Sequence, residues 1–74
     1  MSIDRLISMA NQIGKFFESY PDAELAKEGI ATHIKNFWAQ QMRRQLVSHV
    51  IEKQGQGLDH LVTEAIKQHQ AILA

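Results

Sequence analysis

Apolar residues recur at three- and four-residue steps from Ile3 to Leu73, and proline occurs once, at position 21. That spacing is the period of one face of an α-helix. No segment alternates apolar and polar residues over the length of a strand, so the chain is expected to be all-α. With 74 residues it is long enough for one domain. A domain this small buries only about 60% of the surface its unfolded chain exposes. Its own core should supply no more than about 3–5 kcal/mol. There is no cysteine, so neither disulfides nor thiolate metal sites stabilise it.

Four amphipathic segments follow one another. The first, about residues 3–19, carries Ile3, Leu6, Ile7, Ala10, Ile13, Gly14 and Phe17 on one stripe. Ser2 suits its N-cap and Asp4 the positive end of its dipole. Met9, Phe16 and Tyr20 lie off the stripe, so this helix is apolar on more than one side. Tyr20-Pro21-Asp22 then breaks the chain, because proline disfavours helix at the residue before it. Asp22 offers the next N-cap. The second helix, about 22–38, places Ala26, Ile30, His33, Ile34 and Phe37 on one face. Gly29 within it either admits a close neighbour or is simply tolerated.

Helix three, about 40–53, follows without an intervening glycine or proline and carries Met42, Leu46, Val47, Val50 and Ile51. Gln54-Gly55-Gln56-Gly57 reads as a turn or flexible linker. A fourth segment, about 58–73, has the most regular stripe: Leu58, Leu61, Val62, Ala65, Ile66, His69, Ile72 and Leu73. The expected architecture is a small bundle of three to four helices with short connections, which favours antiparallel neighbours. The fourth helix, behind the only flexible linker, is the least committed to the core.

Lys plus Arg and Asp plus Glu number eight each. A nucleic-acid binder normally carries a basic surplus, so nucleic acid is not an expected partner. The uninterrupted apolar stretches fall far short of the ~20 residues a membrane span needs. Met1-Ser2-Ile3-Asp4-Arg5 does not read as a secretory leader, and a cytoplasmic protein is expected. His33, His49, His60 and His69 include no i, i+4 pair of the helical zinc type. His33 and His69 lie on apolar faces and suit packing roles; His49 and His60 suit solvent. Asp22, Glu24 and Glu28 cluster where a helix dipole favours carboxylates, which accounts for them without catalysis. No nucleophile elbow, phosphate loop or dinucleotide fingerprint is present. The chain is therefore not expected to be an enzyme by itself.

Binding residues are sought instead at Phe37-Trp38, Met42 and Arg43. Adjacent helical residues face different directions, so if Phe37 enters the core, Trp38 turns away from it. Tryptophan, methionine and arginine are enriched at interfaces; packing of Trp38 beneath its own fourth helix is the equal alternative. Arg43 and Arg44 point about 100° apart. A solvated face is the plainer reading for them, and a bidentate pair with a partner carboxylate the sharper one.

A family resemblance joins these residues. Met9-Ala10-Asn11-Gln12-Ile13-Gly14, Phe16-Phe17, Pro21-Asp22, Ile30-Ala31, His33-Ile34, Phe37-Trp38 and Met42-Arg43 together resemble the delta subunit of cytoplasmic NAD-dependent formate dehydrogenases, over about the first two-thirds of the chain. Where that family often has proline after the Phe-Trp pair, this chain has Gln40, so a longer continuous helix is expected there. The resemblance implies a non-catalytic accessory subunit that stabilises a large subunit holding a molybdenum or tungsten bis-pterin centre. Iron–sulfur clusters, FMN and NAD would belong to the same complex and its electron-transfer subunits. None of these cofactors is expected on this chain, which lacks the cysteines a thiolate-held cluster needs.

Met9, Asn11, Gln12, Phe37, Trp38, Met42 and Arg43 are the expected partner contacts. The underlying expectation is an excess of apolar surface, covered by the large subunit or, in isolation, by a second copy. An assembly chaperone aiding cofactor insertion and an unrelated helical adaptor are the alternatives.

Overall fold

A computed structural model describes residues 1–74. It contains five helices and no strand: α1 (Ile3–Phe17), α2 (Ala23–Phe37), α3 (Gln40–Lys53), α4 (His60–Gln68) and α5 (Gln70–Leu73). The all-α class is as expected; the helix count is higher, because the segment anticipated as 58–73 is divided. It starts at His60 and breaks at His69, whose backbone leaves the helical region at φ −119° and ψ 30°. The break lets Leu73 turn back into the core, where it is fully buried.

Local chemistry sets the first two helices. Ser2 Oγ accepts from the Arg5 amide at 3.3 Å. Asp22 Oδ1 accepts from the Glu24 and Leu25 amides at 2.9 and 3.3 Å. Both satisfy amides that a helix start leaves without partners. Helices α2 and α3 are separate, which corrects the expectation of one continuous helix. Trp38 and Ala39 are both extended, with ψ of 142° and 149°. No proline imposes this. The bend carries the Trp38 ring into the core, and the resulting burial favours ending α2 at Phe37.

Around the bundle, α1 packs on α2, α3 and α4, and α4 packs on α2 and α3 as well; α5 closes against α2, α3 and α4. Eleven buried residues form the centre: Leu6, Ala10, Ile30, Ile34, Trp38, Leu46, Val50, Val62, Ala65, Ile66 and Leu73. Helix α4 therefore lies at the heart of the core, contrary to its expected loose docking. Its sequence supplies Val62, Ala65 and Ile66, all fully buried, and that apolar density outweighs the linker before it.

Two glycines admit close packing. A Cβ on Gly14 would stand 2.5 Å from Val62 Cγ2, and one on Gly29 would strike the Phe17 ring. The α1–α4 and α1–α2 approaches both depend on the missing methyl group. The 54–57 segment is a fixed turn. Gln54, Gly55 and Gly57 have positive φ of 59°, 74° and 89°, a region that glycine enters without steric cost.

Candidate interaction surface

The seven expected contact residues do not share one surface. Trp38 is 6% exposed and belongs to the core, whereas Phe37 is 74% exposed. Of the two readings left open for Trp38, packing within its own chain is the one that holds, and it is Phe37 that stays outside. Met9 and Met42 are half-buried against the core. Gln12 is exposed.

Asn11 and Arg43 use their polar atoms inside the chain. Asn11 Nδ2 donates to the Gly57 carbonyl at 3.0 Å, and Asn11 Oδ1 accepts from the Asp59 amide at 2.8 Å. One side chain thereby ties α1 to the turn that starts α4. Arg43 Nη1 donates to the Trp38 carbonyl at 2.9 Å and to that of Lys35 at 3.4 Å, while Nε donates to Leu73 at 3.3 Å. The guanidinium thus joins carbonyl groups at the C-terminal ends of α2 and α5, where the helix dipole favours a cation. Arg44 is exposed.

The histidines also differ in part from expectation. His33 is exposed and stacks on Phe37, with ring centroids 4.7 Å apart. His49 is half-buried rather than solvated, and its Nε2 lies 2.7 Å from the Gln56 carbonyl. No group of three or more His, Asp or Glu side chains is arranged to hold a metal ion.

What the fold assembles instead is an aromatic seam between α1 and α2. Ile13, Phe16, Phe17 and His33 line a cleft of about 230 Å³. Phe16 meets Phe17 edge-on at 5.0 Å, and Phe17 meets Tyr20 at 5.1 Å. Phe17 lies over Gly29, and Ile13 shares the cleft with His33. Each four-residue step backward along α1 thus matches one forward along α2. The next step brings Met9 level with Phe37, extending the seam by one turn. Phe16 is 69% exposed and Tyr20 42%. Gln12 on α1 and Thr32 and Asn36 on α2 flank its middle with polar, uncharged groups, and the exposed charges Arg5 and Glu28 lie a turn beyond on the same stripes. An apolar centre depleted of charge is the compositional signature of an interface. Phe16 was not singled out from the sequence, although its place off the core stripe of α1 was the available signal. His33 was missed because α2's apolar period was extended through it.

The family model of the NADH-dependent formate dehydrogenase delta subunit, FdsD, matches residues 5–66. The chain belongs to this family. The match covers nearly all of α1, then α2, α3 and most of α4, and so includes the aromatic seam and the tie made by Asn11, but not Leu73, which accepts from Arg43. No curated protein and no solved structure matches the chain. No helix of this delta-family chain is long and apolar enough to cross a membrane.

Proposed function

We propose that this chain is a non-catalytic accessory subunit of a cytoplasmic NAD-dependent formate dehydrogenase, docking the α1–α2 aromatic seam onto the large pterin-bearing subunit. Membership of the delta family supports the complex. The observation that carries the docking surface is the presence on the α1–α2 side of two phenylalanines, Phe16 and Phe37, 69% and 74% exposed. Exposed aromatic side chains in water are costly unless something covers them, and buried aromatic anchors dominate interface energetics. Met9, Gln12 and Phe37 stay in the proposed contact set, joined by Ile13, Phe16 and His33. Asn11 and Arg43 contribute by tying α1 to the α4 turn and α2 to α5, and Trp38 and Met42 by packing in and against the core behind that face.

Molybdenum or tungsten pterin, iron–sulfur clusters, FMN and NAD would reside in the other subunits. A chain without cysteine offers no thiolate for a cluster. Its part is to bind and stabilise, as an element whose folded state is coupled to its partner's.

Co-purification on a tagged large subunit tests this. The unaltered chain is expected at a fixed ratio in the active enzyme, and F16S/F37S is expected to be lost from it. Retention of that double variant, or full activity and unchanged assembly without the chain, would refute the docking surface or the role respectively. A substoichiometric chain that leaves before activity appears would instead mark an assembly chaperone.

A further inference from the structure

A second surface lies across the bundle from the aromatic seam, on the outer side of α3. Arg44, Ser48 and Glu52 are four residues apart and so line one face of the helix, and all three are exposed. Beside them Val47 and Ile51, the latter 60% exposed, form with Ala74 the apolar wall of a groove. Ile51 was read with Leu46 and Val50 on one apolar face of this helix; the structure puts it here, outside the core they join.

The charges on this face have no ion-pair partner within the chain. Arg44 and Glu52 stand two turns apart, about 12 Å along the axis, too far to pair with each other. Glu52 takes only a hydroxyl bond, from Ser48 at 3.3 Å. Their order, with a cation one turn before Ser48 and two turns before an anion, is self-complementary. If a second α3 is laid antiparallel with Ser48 on the two-fold axis, Arg44 of each copy falls level with Glu52 of the other. Val47 and Ile51 of both copies then share one side of the contact. The small Ser48 at the crossing permits close approach of the backbones.

We infer that the outer face of α3 pairs with the same face of a second copy of this chain, antiparallel about Ser48, through reciprocal Arg44–Glu52 ion pairs. An isologous contact of this kind closes on itself. One helix face offers less than the ~800 Å² per partner of a standard interface, so the dimer is weak and concentration-dependent. The contact leaves the α1–α2 seam open on both copies, so a dimer presents two docking faces. The inference does not depend on what that seam binds.

Sedimentation equilibrium of the purified full chain, up to about 1 mM, reads the association directly. A monomer–dimer equilibrium that weakens with added salt is expected, because the pairs are solvent-exposed. R44E or E52R alone sets like charges together and is expected to weaken dimerisation about tenfold or more, at a cost of about 1.4 kcal/mol per factor of ten. The double variant R44E/E52R restores opposite charges and is expected to recover the dimer to within about threefold. Both positions are exposed, and unchanged circular dichroism confirms that the variants fold. A chain that stays monomeric throughout overturns the inference. So does a dimer indifferent to both swaps but lost in F16S/F37S, since that dimer would use the aromatic seam.

Discussion

Asn11 shows how much a single side chain contributes in a domain of this size. Its amide both donates to the Gly57 carbonyl and accepts from the Asp59 amide, so one residue of α1 fixes the approach to α4. A net intramolecular hydrogen bond is worth about 0.5–1.5 kcal/mol. N11A is therefore expected to lower stability by about 1–3 kcal/mol, measured by urea unfolding. N11D keeps the acceptor but turns a carboxylate oxygen toward the Gly57 carbonyl, and is not expected to restore the loss. Arg43 works in the same way at the other end of the bundle, donating to three carbonyls across two helix termini. Hydrogen bonds from a charged group contribute more, about 1.5–3 kcal/mol. R43A is expected to loosen α5 first, because α5 is a single turn held by Leu73 and this guanidinium. Hydrogen exchange should then show protection falling in 70–74 before it falls in α2 or α4.

At the scale of elements, the elbow between α2 and α3 is the least locally determined part of the fold. Ala39 stands at the N-cap of α3 with no side-chain hydrogen bond. A39D supplies an acceptor to the first-turn amides and a negative charge at the positive end of the dipole. It is expected to stabilise the chain by about 1 kcal/mol and to raise the melting temperature by about 4–8 °C. A melting temperature unchanged or lowered would mean that the elbow's geometry does not admit a cap.

The same elbow marks the limit of what sequence could reveal. Ser2, Pro21 and Asp22 announced their boundaries because their effects are local. The α2–α3 break did not, since nothing at 38–39 breaks a helix; burial of Trp38 imposes it. In helical phase Phe37 points within about 20° of Ile30, and Trp38 within about 40° of Ile34. Periodicity alone therefore could not choose which ring enters the core. Ending α2 at Phe37 decides it, and with it the composition of the exposed face. The break at His69 was hidden for the same reason: the stripe runs on through it, and only the demand to bury Leu73 turns the chain. Phe16 was legible as a residue off its stripe, but its neighbour His33 became visible only once the two helices were set in register.

For the molecule as a whole, the question is how a small core coexists with so much uncovered apolar surface. The Cα radius of gyration is 10.8 Å, and the central cluster is eleven residues. The excess surface expected from the sequence is present, though of the large apolar residues that carry it only Phe37 was among the anticipated contacts. Trp38 is covered and Met42 half-covered, while Phe16, Leu25, Phe37 and Ile51 each remain more than half exposed. A partner that binds only the folded chain adds RT ln(1 + [L]/Kd) to stability, or about 2.7 kcal/mol at a hundredfold excess over Kd. For a domain of this length each kcal/mol moves the melting temperature by about 4–8 °C. Mixed with the large subunit at such an excess, the chain is expected to melt about 10–20 °C higher than alone. F16S/F37S separates the two contributions. Both rings project into solvent, so the isolated variant should melt within a few degrees of the unaltered chain, about ±0.5 kcal/mol being usual for surface changes. The increment from the large subunit should vanish with it. Conversely, a variant that melts far lower in isolation would show that the seam supports the fold, and that the exposed rings are structural rather than a face awaiting a partner.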